Sequence, residues 1–230
     1  MPIYLLNEQL VFPDPSQAEE GILAIGGDLS AERLILAYQS GIFPWYNDDE
    51  PIIWHSPDPR FVLFPQDLKI SNSMKQLLKS NKYTLTINKG FEDVIAHCRH
   101  AKRKGQDGTW IHDEMIEAYL LLHHRGIAHS VEVWNTENKL VGGLYGLNLG
   151  NIFYGESMFH LESNTSKLAL ITLIQSFPFK IIDCQVHTKH LASLGASTIR
   201  LKEFLKINIK ESKKANLLNR NINFENKWIE

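Results

Sequence analysis

The stretch AHSVEVWNTENKLVGGLYGLNLGNIFYGESMF, residues 128–159, decides the fold. It divides into three strand patterns, Ala128 to Trp134, Lys139 to Leu149 and Ile152 to Phe159, separated by the turns Asn135-Thr136-Glu137-Asn138 and Gly150-Asn151. Connections this short leave consecutive strands antiparallel, so the segment predicts a meander. Upstream, Ser73 to Lys79 reads as a short helix, Tyr83 to Ile87 alternates as a half-buried strand, and Phe91 to Arg99 and Asp113 to Arg125 read as helices. Downstream come a strongly apolar helix from Lys167 to Phe177, a buried strand from Lys180 to Val186, and a helix from Thr188 to Leu194 closed by Gly195. Helices with a mainly antiparallel sheet predict the α+β class. Nearer the amino terminus, Ser30 N-caps a helix that Gly41 stops. The following segment to Pro65 carries five prolines with Trp45, Tyr46 and Trp54, and reads as a rigid aromatic boundary. It divides a small domain, 1–62, from a larger one, 63–230.

With 230 residues, 43% hydrophobic and 22% charged, the chain has ample material for a core. Residues 1–60 hold 2 basic against 10 acidic side chains, whereas residues 200–230 hold 8 against 4. An acidic front and a basic back fit a cationic ligand on one side and an anionic partner on the other, and equally a surface kept soluble. Cys98 and Cys184 form no C-x-x-C pair, which removes zinc ribbons and iron–sulfur clusters and leaves reduced, intracellular thiols as the simplest reading. No run of 18 apolar residues occurs, so the expectation is a protein with no membrane segment.

The glycines Gly142, Gly143, Gly146 and Gly150 belong to no phosphate-binding pattern, and their placement in strands predicts close backbone approach or bulging. H-E-x-x-H and G-x-S-x-G are absent. Two polar intrusions into apolar strands stand out. In Ile181-Ile182-Asp183-Cys184-Gln185-Val186, alternation puts Asp183 and Gln185 on one face and Cys184 on the other. In Phe153-Tyr154-Gly155-Glu156-Ser157-Met158-Phe159, Glu156 is expected to share a face with Tyr154 and Met158, giving an apolar wall with one cation anchor. A buried carboxylate requires a hydrogen-bond network or a task, and these strings alone leave both open.

Nine ordered strings carry a resemblance: Gly26-Gly27-Asp28-Leu29, Gly41-Ile42-Phe43-Pro44-Trp45-Tyr46, Ser56-Pro57-Asp58-Pro59-Arg60, Gly108-Thr109-Trp110-Ile111, Ala128-His129-Ser130-Val131-Glu132, Gly142-Gly143-Leu144-Tyr145-Gly146, Gly155-Glu156-Ser157-Met158-Phe159, Asp183-Cys184-Gln185 and His190-Leu191-Ala192-Ser193-Leu194-Gly195-Ala196. Over residues 10–205 the chain resembles the leucyl/phenylalanyl-tRNA–protein transferases. The resemblance implies transfer of Leu or Phe from aminoacyl-tRNA to the amino-terminal Arg or Lys of an acceptor protein, which marks the acceptor for degradation in the cytoplasm. It also implies a small amino-terminal domain on a larger acetyltransferase-like (GNAT-like) N-acyltransferase domain. The sequence departs from the family's usual residues at His55, His112-Asp113 and Tyr154.

Because an aminoacyl ester is already activated, its aminolysis requires placement and neither metal, cofactor nor covalent intermediate. On this reading Asp183 orients Gln185, whose amide carbonyl accepts a hydrogen bond from the incoming amine. Glu156 contacts the donor's α-ammonium or a ribose hydroxyl, and Met158, Leu144, Phe153, Leu170 and Ile182 line the side-chain pocket. Trp45 and Trp110 stack on the terminal adenosine, and Lys75, Lys79, Lys82, Arg99, Lys102 and Arg103 cradle the acceptor stem. The expected state is a monomer. Two other readings stand beside this one. An acyl-CoA-dependent N-acyltransferase needs a pyrophosphate loop where this chain has Asn164-Thr165-Ser166-Lys167; a non-catalytic tRNA-binding module leaves the Asp183/Gln185 face without a purpose.

Overall fold

A computed structural model describes residues 3–101 and 110–219. The amino-terminal part comprises β1 (Tyr4–Leu6), β2 (Ile22–Gly26), α1 (Ala31–Gln39), β3 (Phe43–Pro44) and β4 (Ile53–His55), whose strands form a sheet in the order β1-β2-β4-β3. Next come β5 (Arg60–Leu63), α2 (Asn72–Lys79), β6 (Thr84–Ile87), α3 (Phe91–His100) and α4 (Asp113–His124). The meander follows as β7 (Ala128–Trp134), β8 (Leu140–Leu149) and β9 (Ile152–His160). The chain continues through α5 (Thr165–Ser176), β10 (Ile181–Gln185), α6 (Lys189–Ala192), β11 (Ser197–Ile199) and α7 (Leu201–Glu211). The second sheet has the order β11-β5-β10-β9-β8-β7-β6, and every pairing in it is antiparallel except β9 with β10, which α5 connects as a crossover.

The seven-stranded sheet has a core on each side. One contains Tyr38, Trp54, Phe91, Tyr119, Tyr145 and Phe204, so it joins the first sheet and α1 to α3, α4 and α7. The other contains Met74, Leu144, Phe153, Leu168, Leu170 and Ile182, under α2 and α5. Helix α5 is apolar all round and nearly all of it is buried, which is what a helix laid flat on a sheet requires. It lies so close to β8 that a Cβ at Gly142 would stand 2.2 Å from Thr165 Oγ1. Close approach, not nucleotide binding, explains these strand glycines.

Helix α1 begins where Ser30 Oγ accepts from the Arg33 amide, as its cap residue predicts. The segment 41–65, read as a rigid aromatic boundary, contains β3, β4 and β5; strands of two to four residues hold too few alternations to register as a pattern. Helix α7 has no counterpart in the sequence reading. Its buried stripe runs Leu201, Phe204, Asn208, and the polar third member hides the helical period.

Candidate functional site

Strands β9 and β10 pair from Ile152–Ile181 to Tyr154–Asp183, and there the pairing stops, while β9 runs on to His160. Two irregularities sit at this parting. In β9, Tyr145 pairs Ser157 and Gly146 pairs Gly155, so Glu156 is an extra residue bulged out of the ladder. A side chain at Gly146 would put its Cβ 2.2 Å from the Tyr154 carbonyl oxygen, so only glycine permits the bulge. In β10 the register against β5 slips between Asp183 and Gln185, and Gln185 adopts a left-handed φ of 61°.

The bulge changes the expected grouping around Glu156. Tyr154 turns to the core of α1 and α7, where its hydroxyl donates to Asn208 Oδ1 at 2.6 Å, while Met158 packs with the opposite core. Alternation counted along the strand assumes an unbroken ladder, and the extra residue breaks it.

Glu156 is 9% exposed, and both of its carboxylate oxygens accept hydrogen bonds. Its Oε1 accepts from Tyr38 Oη at 2.8 Å and from Gln185 Nε2 at 2.8 Å, and its Oε2 accepts from Tyr119 Oη at 3.0 Å. The two tyrosine hydroxyl oxygens also lie in contact with each other, each having its single proton directed to Glu156. Burial pushes the Glu156 carboxyl up to about 7, against the three hydrogen bonds that favour its ionised form. Burial, with the Glu156 charge next in weight, holds both phenols well above their usual range, so they act as donors.

Asp183 has no exposed side-chain surface and is gripped by Arg60, Nε to Oδ1 at 2.8 Å and Nη2 to Oδ2 at 2.6 Å. Oδ1 also accepts the Gln185 main-chain N–H at 3.0 Å. The Asp183 carboxylate therefore holds Gln185 by its main-chain N–H, not side chain to side chain. With Nε2 committed to Glu156, the Gln185 carbonyl oxygen is the end of the amide left to accept from something else.

A cavity of ≈ 570 Å³ opens over this parting, with walls from both cores. Glu156, Asp183 and Gln185 line it, as do all five apolar residues expected there, Met158, Leu144, Phe153, Leu170 and Ile182. Trp45, 37% exposed, and the part-buried Trp110 also line it. The basic residues are not gathered in the same way. Lys75 and Lys79 lie exposed on α2, and Lys82 reaches Glu162 Oε2 at 3.2 Å. Arg99 lies on α3, over the opposite face of the sheet, and pairs with Asp113. Lys102 and Arg103 fall outside the described residues.

Three contributors were not picked out from the sequence. Arg60 drew notice only as part of a resembling string; its place beside Phe61-Val62-Leu63 was the available signal for a buried cation seeking an anion. Tyr38 and Tyr119 sit in helical apolar stripes, where a tyrosine looks like any core residue.

The family model described as leucyl/phenylalanyl-tRNA protein transferase matches residues 62–208, and that of its N-terminal domain matches residues 27–58. A leucyl/phenylalanyl-tRNA–protein transferase of Flavobacterium johnsoniae is 55% identical over 209 residues, covering 89% of this chain and 98% of the relative. Those of Syntrophobacter fumaroxidans and Shewanella pealeana are 52% and 53% identical, again over 89% of this chain and over 89% and 88% of theirs. Among solved structures, a GCN5-related N-acetyltransferase from Kribbella flavida aligns with a TM-score of 0.35 at 10% identity, covering 71% of this chain and 58% of that one. L-PGS from Bacillus licheniformis aligns at 0.34 and 12%, covering 82% and 64%. The sequence matches define an aminoacyltransferase. The chain belongs to the leucyl/phenylalanyl-tRNA protein transferase family.

Proposed function

We propose that this chain transfers Leu or Phe from aminoacyl-tRNA to the amino-terminal Arg or Lys of acceptor proteins in the cytoplasm, marking them for degradation. The observation that carries the proposal is the convergence of Glu156 and Gln185 on one apolar-walled cavity of a size that takes a small ligand. The acceptor's amine nitrogen attacks the ester carbonyl carbon, the new amide bond forms, the ester C–O bond breaks, and the ribose hydroxyl leaves with the proton. An α-amino group has a pKa near 7.7–8.0, so roughly a fifth to a third of the acceptor is already neutral at physiological pH and placement is the main requirement. Orienting the two reactants supplies roughly 7–11 kcal/mol.

In this scheme the Gln185 carbonyl accepts from the attacking amine and Glu156 holds the donor's α-ammonium or a ribose hydroxyl. Leu144, Phe153, Met158, Leu170 and Ile182 form the side-chain pocket, and Trp45 and Trp110 stack on the terminal adenosine. Lys75, Lys79, Lys82 and Arg99, with Lys102 and Arg103, meet phosphates of the acceptor stem. Transfer of radiolabelled Leu from charged tRNA to an Arg-initiated peptide, with an Ala-initiated peptide as control, tests the proposal. Equal or absent labelling of the two peptides defeats it.

A further inference from the structure

We infer that Arg60 is a positioning residue for the transfer reaction, acting through Asp183 on the backbone of Gln185. The inference rests on the reading of Gln185 as the group that receives the amine.

The Arg60 side chain has no exposed surface, and its Cζ lies 4.6 Å from the centre of the Phe43 ring and 4.8 Å from that of Phe204. Two of its donors reach Asp183, but Nη1 is buried with no partner among the described residues. A guanidinium enclosed in this way is expensive, and where stability alone is at stake an apolar replacement of the whole pair is often neutral or better. What an apolar pair cannot do is present an oriented lone pair to the next segment. Asp183 Oδ1, which receives Arg60 Nε, is the same atom that accepts the Gln185 N–H at 3.0 Å.

That N–H belongs to a residue held at φ 61°, a conformation that non-glycine residues seldom adopt without compensation. The planar fork fixes the carboxylate plane, the plane fixes the direction of the Oδ1 lone pair, and the lone pair fixes the Gln185 backbone. Gln185 Nε2 then reaches Glu156 Oε1 at 2.8 Å, which leaves its carbonyl oxygen turned to the reactants. The rings of Phe43 and Phe204, from β3 and α7, both pack against the fork as a clamp, so the line of action starts outside the strands that carry the reacting groups. A lysine keeps the charge at position 60 but offers a point donor where the site needs two parallel bonds.

The experiment compares wild type, Arg60→Lys, Gln185→Ala and the double variant in Leu transfer from charged tRNA to an Arg-initiated peptide. Misplacing a reacting group by about 1 Å costs as much as 10²-fold, so Arg60→Lys is expected to lower kcat roughly 10- to 100-fold. The donor KM stays within about twofold, and in the Gln185→Ala background the same substitution changes kcat by less than about twofold. An equal loss in both backgrounds marks a purely structural residue and overturns the inference. Should Arg60→Lys fail to fold by circular dichroism, Phe204→Leu replaces it; it keeps the fork and loosens the clamp, and the same non-additivity is required at smaller amplitude. A wild-type enzyme without transfer defeats the functional reading alone. The Gln185 main-chain and side-chain N–H resonances then decide: they shift in the folded variant while the Trp54 indole N–H, bonded to the Gly26 carbonyl at 2.8 Å, stays in place. Unmoved Gln185 resonances overturn the inference.

Discussion

Gln185 Nε2 donates to Glu156 Oε1 at 2.8 Å across the point where β9 and β10 cease to pair. The two residues lie 29 positions apart and each occupies a break in its own ladder. Gln185→Ala removes one of three donors to a buried carboxylate, and a loss of about 1–3 kcal/mol in urea denaturation is expected alongside a collapse of transfer. Near-normal turnover in a folded protein refutes the role given to Gln185.

Asp183→Asn behaves differently. It leaves Arg60 as a buried cation without its counter-ion, for which about 3–5 kcal/mol is typical. The variant should therefore melt well below wild type as well as lose activity, and an unchanged melting temperature counts against the ion pair as drawn.

Glu156 sets a pH dependence. Its folded pKa, about 7, lies above the ordinary 4.5, so the folded state binds its proton more tightly than the unfolded chain does. This contribution is fully present below pH 4.5 and is lost as pH rises through about 7, to the extent of roughly 3 kcal/mol at most. Relative to Glu156→Gln, wild type should lose stability across that window, read as the difference in urea midpoints; a flat difference argues against the burial described.

At Gly146 the expected effect is steric. An added methyl meets the Tyr154 carbonyl oxygen at 2.2 Å, and Gly146→Ala should cost about 1–3 kcal/mol or more while displacing Glu156. Calorimetry and transfer rates should fall together. A stable, active Gly146→Ala enzyme shows that the bulge is dispensable.

Pocket selectivity and donor grip separate cleanly. Met158→Ala should change the ratio of kcat/KM for Leu over Val, since one methylene discriminates by about 1–3 kcal/mol in such pockets. Trp45→Ala should raise the donor KM instead, a stacked base being worth about 1–3 kcal/mol. A variant Met158→Ala with its Leu/Val ratio intact removes Met158 from the pocket wall.

The meander was readable because tight turns and long alternation act within a few residues of one another, and Asp183, Gln185 and Glu156 stood out as polar groups in apolar strands. The parts that could not be read depend on distant partners. Arg60 and Asp183 are separated by 123 positions, and nothing local to either states the pairing. The bulge at Glu156 arises from Gly146 on the neighbouring strand, so alternation along β9 alone put Met158 on the wrong face, while Tyr154 stays in the core of Tyr38 and Tyr119 that Glu156 also meets. Asn208, whose Nδ2 donates to the Tyr38 and Gln39 carbonyls at 2.9 and 2.8 Å, reads as a surface residue until α7 is seen to dock on α1.

The surplus residue in β9 places two selective pressures in opposition. Deleting one position there would restore an uninterrupted ladder and a more regular sheet, yet it would withdraw the carboxylate from between the tyrosines. Drift toward greater robustness is thus barred at that spot, and homologues that have shed the insertion should be found to have abandoned the chemistry as well.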